Sequence, residues 1–190
     1  MKLRNLLLLG PPGVGKGTQS ARLAARLGVP HVSTGELLRA AVAAGTPLGR
    51  KAKAFMDRGE LVSDAIVIGV ATERLSRPDA KTGFVLDGFP RTLAQADALD
   101  VELERLGTKL DCCLALLADE AVLIERLLGR AGIEGRSDDN EGTIRKRMRV
   151  YQEQTEPLVA RYRRAGSLRE VDGVGTIEAV ERRIQEALAA

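Results

Sequence analysis

Short apolar runs recur along this chain, and helical stretches fill the intervals between them. The runs are Leu6 to Leu9, Phe84 to Leu86 and Leu110 to Leu117, and Val29 to Val32 and Leu168 to Val171 read as two further short strands. Five strands alternating with helices predict a parallel α/β sheet. A first helix is expected over about 16–27, with Leu23, Ala24 and Leu27 on one face and Gly28 and Pro30 as stop signals. Thr34 reads as the N-cap of a helix through Ala44, which Gly45 stops. Thr46-Pro47 starts another, with proline at the first helical position and Gly59 at its end. Ser63 or Asp64 caps a third, through about Ser76. Residues 92–106 and 119–129 read as helices, and Arg130 to Asp139, with two glycines and clustered charge, as an exposed loop. Asp138 and Glu141 have capping-box spacing for a long helix, bent or broken near Pro157. A last helix is expected over 176–189.

Composition narrows the class. The 190 residues include 44% hydrophobic and 29% charged side chains, enough for one sizeable core in a single domain and too apolar for global disorder. The apolar runs fall far short of the roughly 18–20 residues of a membrane span. Lys2 and Arg4 precede four leucines, but no long apolar region or small-residue cleavage site follows, so no signal peptide is expected. Net charge is +3, while aromatics are only 3% with no Trp. That favours a small anionic ligand over a nucleic acid, which would call for stacking side chains. Arg outnumbers Lys 22 to 7, and guanidinium grips planar oxyanions in a fork. Cys112 and Cys113 are adjacent and build no disulfide framework, in keeping with the cytoplasm. They read as small buried hydrophobes.

Three motifs carry chemistry. Gly10-Pro11-Pro12-Gly13-Val14-Gly15-Lys16-Gly17-Thr18 follows an apolar strand and opens a helix, the setting of a phosphate-binding P-loop. Glycines let successive N–H groups turn inward, the helix start adds its positive end, and Lys16 brings a full charge. The residue after Lys16 is Gly17, so a hydroxyl comes only at Thr18, one position later than direct magnesium ligation needs. Asp87-Gly88-Phe89-Pro90-Arg91-Thr92 stands at the C-terminal end of a strand, where ligands bind in a doubly wound sheet. Asp87 is placed to face magnesium through water, and Arg91 to grip a phosphate. Arg126 and Arg130 are four apart and share a helix face, and Arg147 lies two turns into the helix after the Gly135 to Asn140 loop.

With Ser33 to Arg39, Gly59 to Val62, Gln95, Gly135 to Asn140, and Val171-Asp172-Gly173 with Gly175, these motifs make the chain resemble the adenylate kinases with a short lid. The resemblance runs in order from end to end. It implies a P-loop NTPase-like, doubly wound, five-stranded parallel sheet flanked by helices, with a core of 1–32, 63–128 and 140–190. It also implies a helical segment at 33–62 that binds the monophosphate, and a lid at 129–139. By the same resemblance, Gly13, Val14, Gly15, Lys16, Gly17, Thr18, Arg130 and Gly175 hold ATP. Thr34, Arg39, Glu60, Leu61 and Val62, Gly88, Phe89, Pro90 and Arg91, and Gln95 hold AMP. Arg136 and Arg147 reach the phosphates of both. The lid segment holds no Cys or His, so no structural zinc is expected. Gly129, Gly132 and Gly135 permit hinge motion there.

The reaction so implied is MgATP plus AMP to two ADP, reversible, in a cytoplasmic monomer without nucleic-acid or membrane partners. AMP phosphate is largely dianionic at pH 7, its second pKa being near 6, so no general base is required. The sole histidine, His31, is expected to be structural. Catalysis would rest on preorganised cations, Lys16, Arg91, Arg130, Arg136 and Arg147, with Mg²⁺. Two readings compete. A uridylate/cytidylate kinase usually carries Ala and Asn where Thr34 and Thr92 stand. A regulatory P-loop protein would lack acceptor chemistry.

Overall fold

The computed structural model describes residues 3–134 and 140–189, with the backbone only over 131–134. Five parallel strands form one sheet: β1 (Asn5–Leu9), β2 (His31–Ser33), β3 (Phe84–Asp87), β4 (Cys112–Leu117) and β5 (Leu168–Asp172). Their order is β2-β3-β1-β4-β5, with Leu8 beside Asp87 on one side and Leu114 on the other. β1 is therefore central, and chain direction across the sheet switches at its C-terminal end, where a crevice opens. Both faces are covered. Leu7, Leu9, Leu86, Cys113 and Ala115 join one core with Leu99, Leu103, Leu158 and Tyr162. Leu6, Leu8, Val85, Cys112 and Leu114 join the other with Leu23, Ala24, Val180 and Ile184. The adjacent cysteines thus point to opposite faces, and both are buried and free.

The helices are α1 (Lys16–Leu27), α2 (Thr34–Ala43), α3 (Pro47–Met56), α4 (Asp64–Leu75), α5 (Leu93–Arg105), α6 (Glu120–Glu134), α7 (Glu141–Val150), α8 (Pro157–Arg164) and α9 (Ile177–Ala189). Thr46 caps α3, accepting from the Gly49 N–H at 3.0 Å, and Thr92 caps α5, accepting from Gln95. α2 and α3 pack on each other between β2 and α4 in the chain. They approach so closely that a Cβ at Gly49 would lie 2.0 Å from the Ala41 carbonyl oxygen.

Several boundaries differ from the sequence reading. Ser33, not Thr34, caps α2, because the Thr34 hydroxyl is turned to the Gly88 carbonyl at 2.8 Å. β2 begins at His31 rather than Val29. β4 begins at Cys112 rather than Leu110: the Asp111 carboxylate receives the N–H groups of Arg4 and Asn5 at 2.8 and 2.9 Å. α6 continues through Glu134, so 130–134 are helix rather than loop. A helical glycine costs only about 1 kcal/mol, and buried Leu123 and Leu127 anchor this helix. Asn140 caps α7, its Oδ1 accepting from Thr143 at 3.0 Å, where Asp138 was expected. Asp138 and Arg136 lie outside the described residues. The break in the long helix is a π-turn over Tyr151–Thr155, just before Pro157, whose missing N–H cannot serve the preceding turn. A 3₁₀ turn over Pro78–Thr82 was not foreseen; Arg74 clamps Asp79 beside it at 2.9 and 2.8 Å.

Candidate active site

The glycine-rich loop leaves β1 and enters α1 with no side chain capping the helix start and no acid in its first turn. Gly15 adopts φ 98°, and a Cβ there would meet nothing within 4 Å, so this side of the loop is open. Gly13 is packed differently, its φ of 84° bringing it against Leu123 and Leu127. An uncapped helix start at the end of an open glycine-rich loop suits an anion. Lys16 folds over the loop, its Nζ donating to the carbonyls of Gly10 and Pro11 at 2.6 and 2.9 Å. Desolvation pulls its pKa down to about 8; Asp87 opposes this, and the charges of Arg91, Arg147 and Arg130 add to it. Four cations thus share one field, which an arriving polyanion would relieve.

Asp87, at the end of β3, is 8% exposed. One carboxylate oxygen lies 3.7 Å from where a Gly17 Cβ would stand, so it faces the first turn of α1. Burial opposes its ionisation. The neighbouring His31 imidazole, 3.8 Å away, and the charges of Lys16 and Arg91 outweigh burial and hold its pKa below the usual carboxylate value. Ser33 also donates to it, at 3.4 Å. His31 Nε2 is buried, and its 3.8 Å approach to Asp87 is longer than a hydrogen bond.

Beyond Asp87 the chain turns sharply through Gly88, at φ 75°, and a cis Phe89–Pro90 peptide. A Cβ at Gly88 would fall 2.9 Å from the Arg91 guanidinium. Arg91 Nε donates to the Gly88 carbonyl and its N–H to Gln95 Oε1, both at 2.8 Å. Gln95 Nε2 donates to Asp64 at 2.7 Å, and the Thr92 hydroxyl donates to the same carboxylate at 3.1 Å. A carboxylate accepts only, so Asp64 fixes which end of the Gln95 amide faces it.

A cleft of about 1040 Å³, counted to its open mouth, joins these pieces. Gly10, Pro12 and Lys16 form one wall. Thr34, Arg39, Glu60, Leu61 and Val62 come from the α2–α3 segment, and Gly88, Pro90, Arg91 and Gln95 from the β3–α5 loop. Arg147, Tyr151 and Thr155 close the far side. The Glu60 side chain pairs with Arg58 and with Lys146 of α7, at 2.9 and 2.7 Å. Phe89 and Val14, also named from the sequence, pack into the core, 2% exposed each, so only their backbone is left to meet a ligand. Arg126 donates to the carbonyls of Gly173 and Gly175, at 3.0 and 3.5 Å, tying α6 to the loop after β5. Sequence reasoning missed Asp64, Tyr151 and Thr155. Asp64 stands 28 and 31 residues before its partners, and no short-range pattern links them.

A P-loop on the central strand of a parallel sheet, facing an arginine-rich wall across one cleft, defines a P-loop phosphotransferase. The family model described as adenylate kinase matches residues 8–167. The adenylate kinase of Thermobifida fusca strain YX is 55% identical over 183 residues, covering 96% of this chain and 97% of the relative. Adenylate kinases of Xanthomonas campestris pv. campestris strain B100 and Xanthomonas oryzae pv. oryzae strain MAFF 311018 are 52% and 51% identical, over 96% of this chain and 98% of theirs. The chain belongs to the adenylate kinase family.

Proposed function

We propose that this chain passes the terminal phosphoryl group of MgATP directly to AMP, reversibly, yielding two ADP. The observation that carries the reading is one cleft, lined together by Lys16, Thr34, Arg39, Arg91, Gln95 and Arg147. ATP lies on the loop from Gly13 to Thr18, with Arg130 and the Gly175 backbone beside it. AMP lies against Thr34, Arg39, the backbone of Glu60, Leu61 and Val62, the Gly88 to Arg91 turn, and Gln95. The helical segment 33–62 is its dedicated site, and 129–139, with Arg136, is the lid.

Among the described residues the cleft is lined by no histidine or cysteine, and the AMP dianion requires no base. The obstacle is repulsion between two polyanions and charge growing on the transferred oxygens. Lys16, Arg91, Arg130, Arg136 and Arg147 offset it without reorganising at the moment of reaction. Arg39 and Thr34 hold the acceptor in line with the donor. Lid closure keeps water, a competing nucleophile, from the phosphoryl group. Magnesium arrives with ATP and neutralises phosphate charge. The ionised, buried Asp87 at the start of α1 suits a hard cation held through water, with Thr18 the nearest hydroxyl on the loop. No group of three or more metal-ligating side chains exists among the described residues, and no described helix is long and apolar enough to cross a membrane. We further infer that the chain works as a cytoplasmic monomer on the small nucleotides ATP, AMP and ADP.

The test is a coupled assay of purified protein with Mg²⁺, ATP and AMP, CMP or UMP in turn. Two ADP per AMP consumed, with far slower turnover of CMP and UMP, is the expected result. Preference for CMP or UMP would move the chain to the pyrimidine kinases. ATP hydrolysis indifferent to AMP would make it a regulatory P-loop protein.

A further inference from the structure

Three hydrogen bonds bear on where Arg91 sits. Two come from nearby in the chain, Gln95 Oε1 on its N–H and the Gly88 carbonyl on its Nε. The third comes from 64 residues away: the Thr155 hydroxyl donates to the Arg91 carbonyl at 2.9 Å. Thr155 ends the π-turn that separates α7 from α8, is 7% exposed, and lines the cleft with Tyr151 and Arg147. The turn itself matters. On a regular α-helix, a residue eight positions beyond Arg147 would stand about 80° around the axis from it. A π-turn rotates less per residue and swings Thr155 back toward the face that carries Arg147. One helical segment therefore presents an arginine to the cleft and, two turns on, grips the backbone of a second arginine.

We propose that Thr155 is a positioning residue for phosphoryl transfer: its hydroxyl ties the π-turn to the Arg91 carbonyl and keeps Arg91 in register with Arg147. This rests on the phosphotransfer reading of the cleft. Electrostatic catalysis needs its donors fixed where charge develops, and small displacements are costly. Without the hydroxyl, the Arg91 carbonyl loses this bond, and the turn that carries the guanidinium loses its tie to the α7–α8 segment. Substrate binding, spread over many contacts, suffers less than the chemical step.

The experiment compares Thr155→Val and Thr155→Ser with the unaltered protein in ADP formation from MgATP and AMP, at a temperature below every melting point. Thr155→Ala replaces the valine variant if that one does not fold. Thr155→Val is expected to lower kcat about tenfold with KM for ATP within about twofold, and Thr155→Ser to return within about threefold of the starting rate. In an Arg91→Ala background, Thr155→Val should cost less than about twofold further, because the group it positions is gone. A serine variant as slow as the valine variant, equal losses in both backgrounds, or a lower Tm with unchanged kcat would each overturn the role. Unaltered protein that makes no ADP would remove the phosphotransfer reading as well, and that result is separate from any effect of the substitutions.

Discussion

In the unliganded protein, Lys16 is a partly deprotonated lysine at mildly alkaline pH. Desolvation, with help from Arg91, Arg147 and Arg130, brings its pKa from 10.5 to about 8. A bound polyphosphate reverses the balance, since negative charge beside the ammonium favours its protonated form. If binding restores the ordinary value, the complex takes up about 0.1 proton at pH 7, about 0.5 at pH 8 and about 0.9 at pH 9. ATP is fully ionised over the upper part of that range, so the uptake belongs to the protein. Isothermal titration calorimetry of ATP, in buffers of different ionisation enthalpy, reads it directly. Lys16→Met should abolish the rise between pH 7 and 9. Uptake that is flat with pH, or unaltered in Lys16→Met, would refute the electrostatic account of the loop. The same group bears on stability with a definite sign. Between about 8 and 10.5 the unfolded chain holds more protons than the folded one, so this lysine's contribution makes the unliganded fold more stable as pH rises through that window.

Other outcomes follow from the same geometry. Lys16→Ala or Arg91→Ala should lower kcat by at least about 10²-fold, equivalent to roughly 2.7 kcal/mol of barrier; near-normal ADP formation by either folded variant would remove its assigned role. Gly49→Ala places a methyl on the Ala41 carbonyl and should cost about 1–3 kcal/mol, a fall in Tm of roughly 3–10 °C by calorimetry. Because α2 and α3 must separate to admit it, KM for AMP should rise more than KM for ATP. Cys112 and Cys113 are buried, and burial pushes both thiols above their ordinary pKa. They should resist a disulfide reagent in the native protein and both react in guanidinium; fast reaction of the folded protein would contradict the packing.

The strands, the P-loop and most helices were legible because each rests on local physics. Continuous apolar runs fit a sheet covered on both faces, Pro47 sits where a helix tolerates it, and Gly28 supplies a left-handed stop. Boundaries failed where a distant partner competed for a local group. Thr34 looked like a cap and lost its hydroxyl to Gly88; Leu110 looked like strand until Asp111 took the N–H groups at the foot of β1. The end of α6 was placed too early because glycine was weighed more heavily than the buried leucines that hold the helix.

Residue types and spacing alone determined that five strands alternate with helices and that a glycine-rich loop of P-loop pattern ends the first of them. They also pointed to the arginines as the candidate electrostatic apparatus proposed above. Convergence was decided elsewhere. Placing β1 between β3 and β4 puts Asp87 beside the start of α1, and the α7–α8 segment brings Arg147 and Thr155 to Arg91. A hydrogen bond across 64 residues leaves no periodic trace in a sequence, because its geometry exists only once the sheet has ordered its strands and the helices have packed on it.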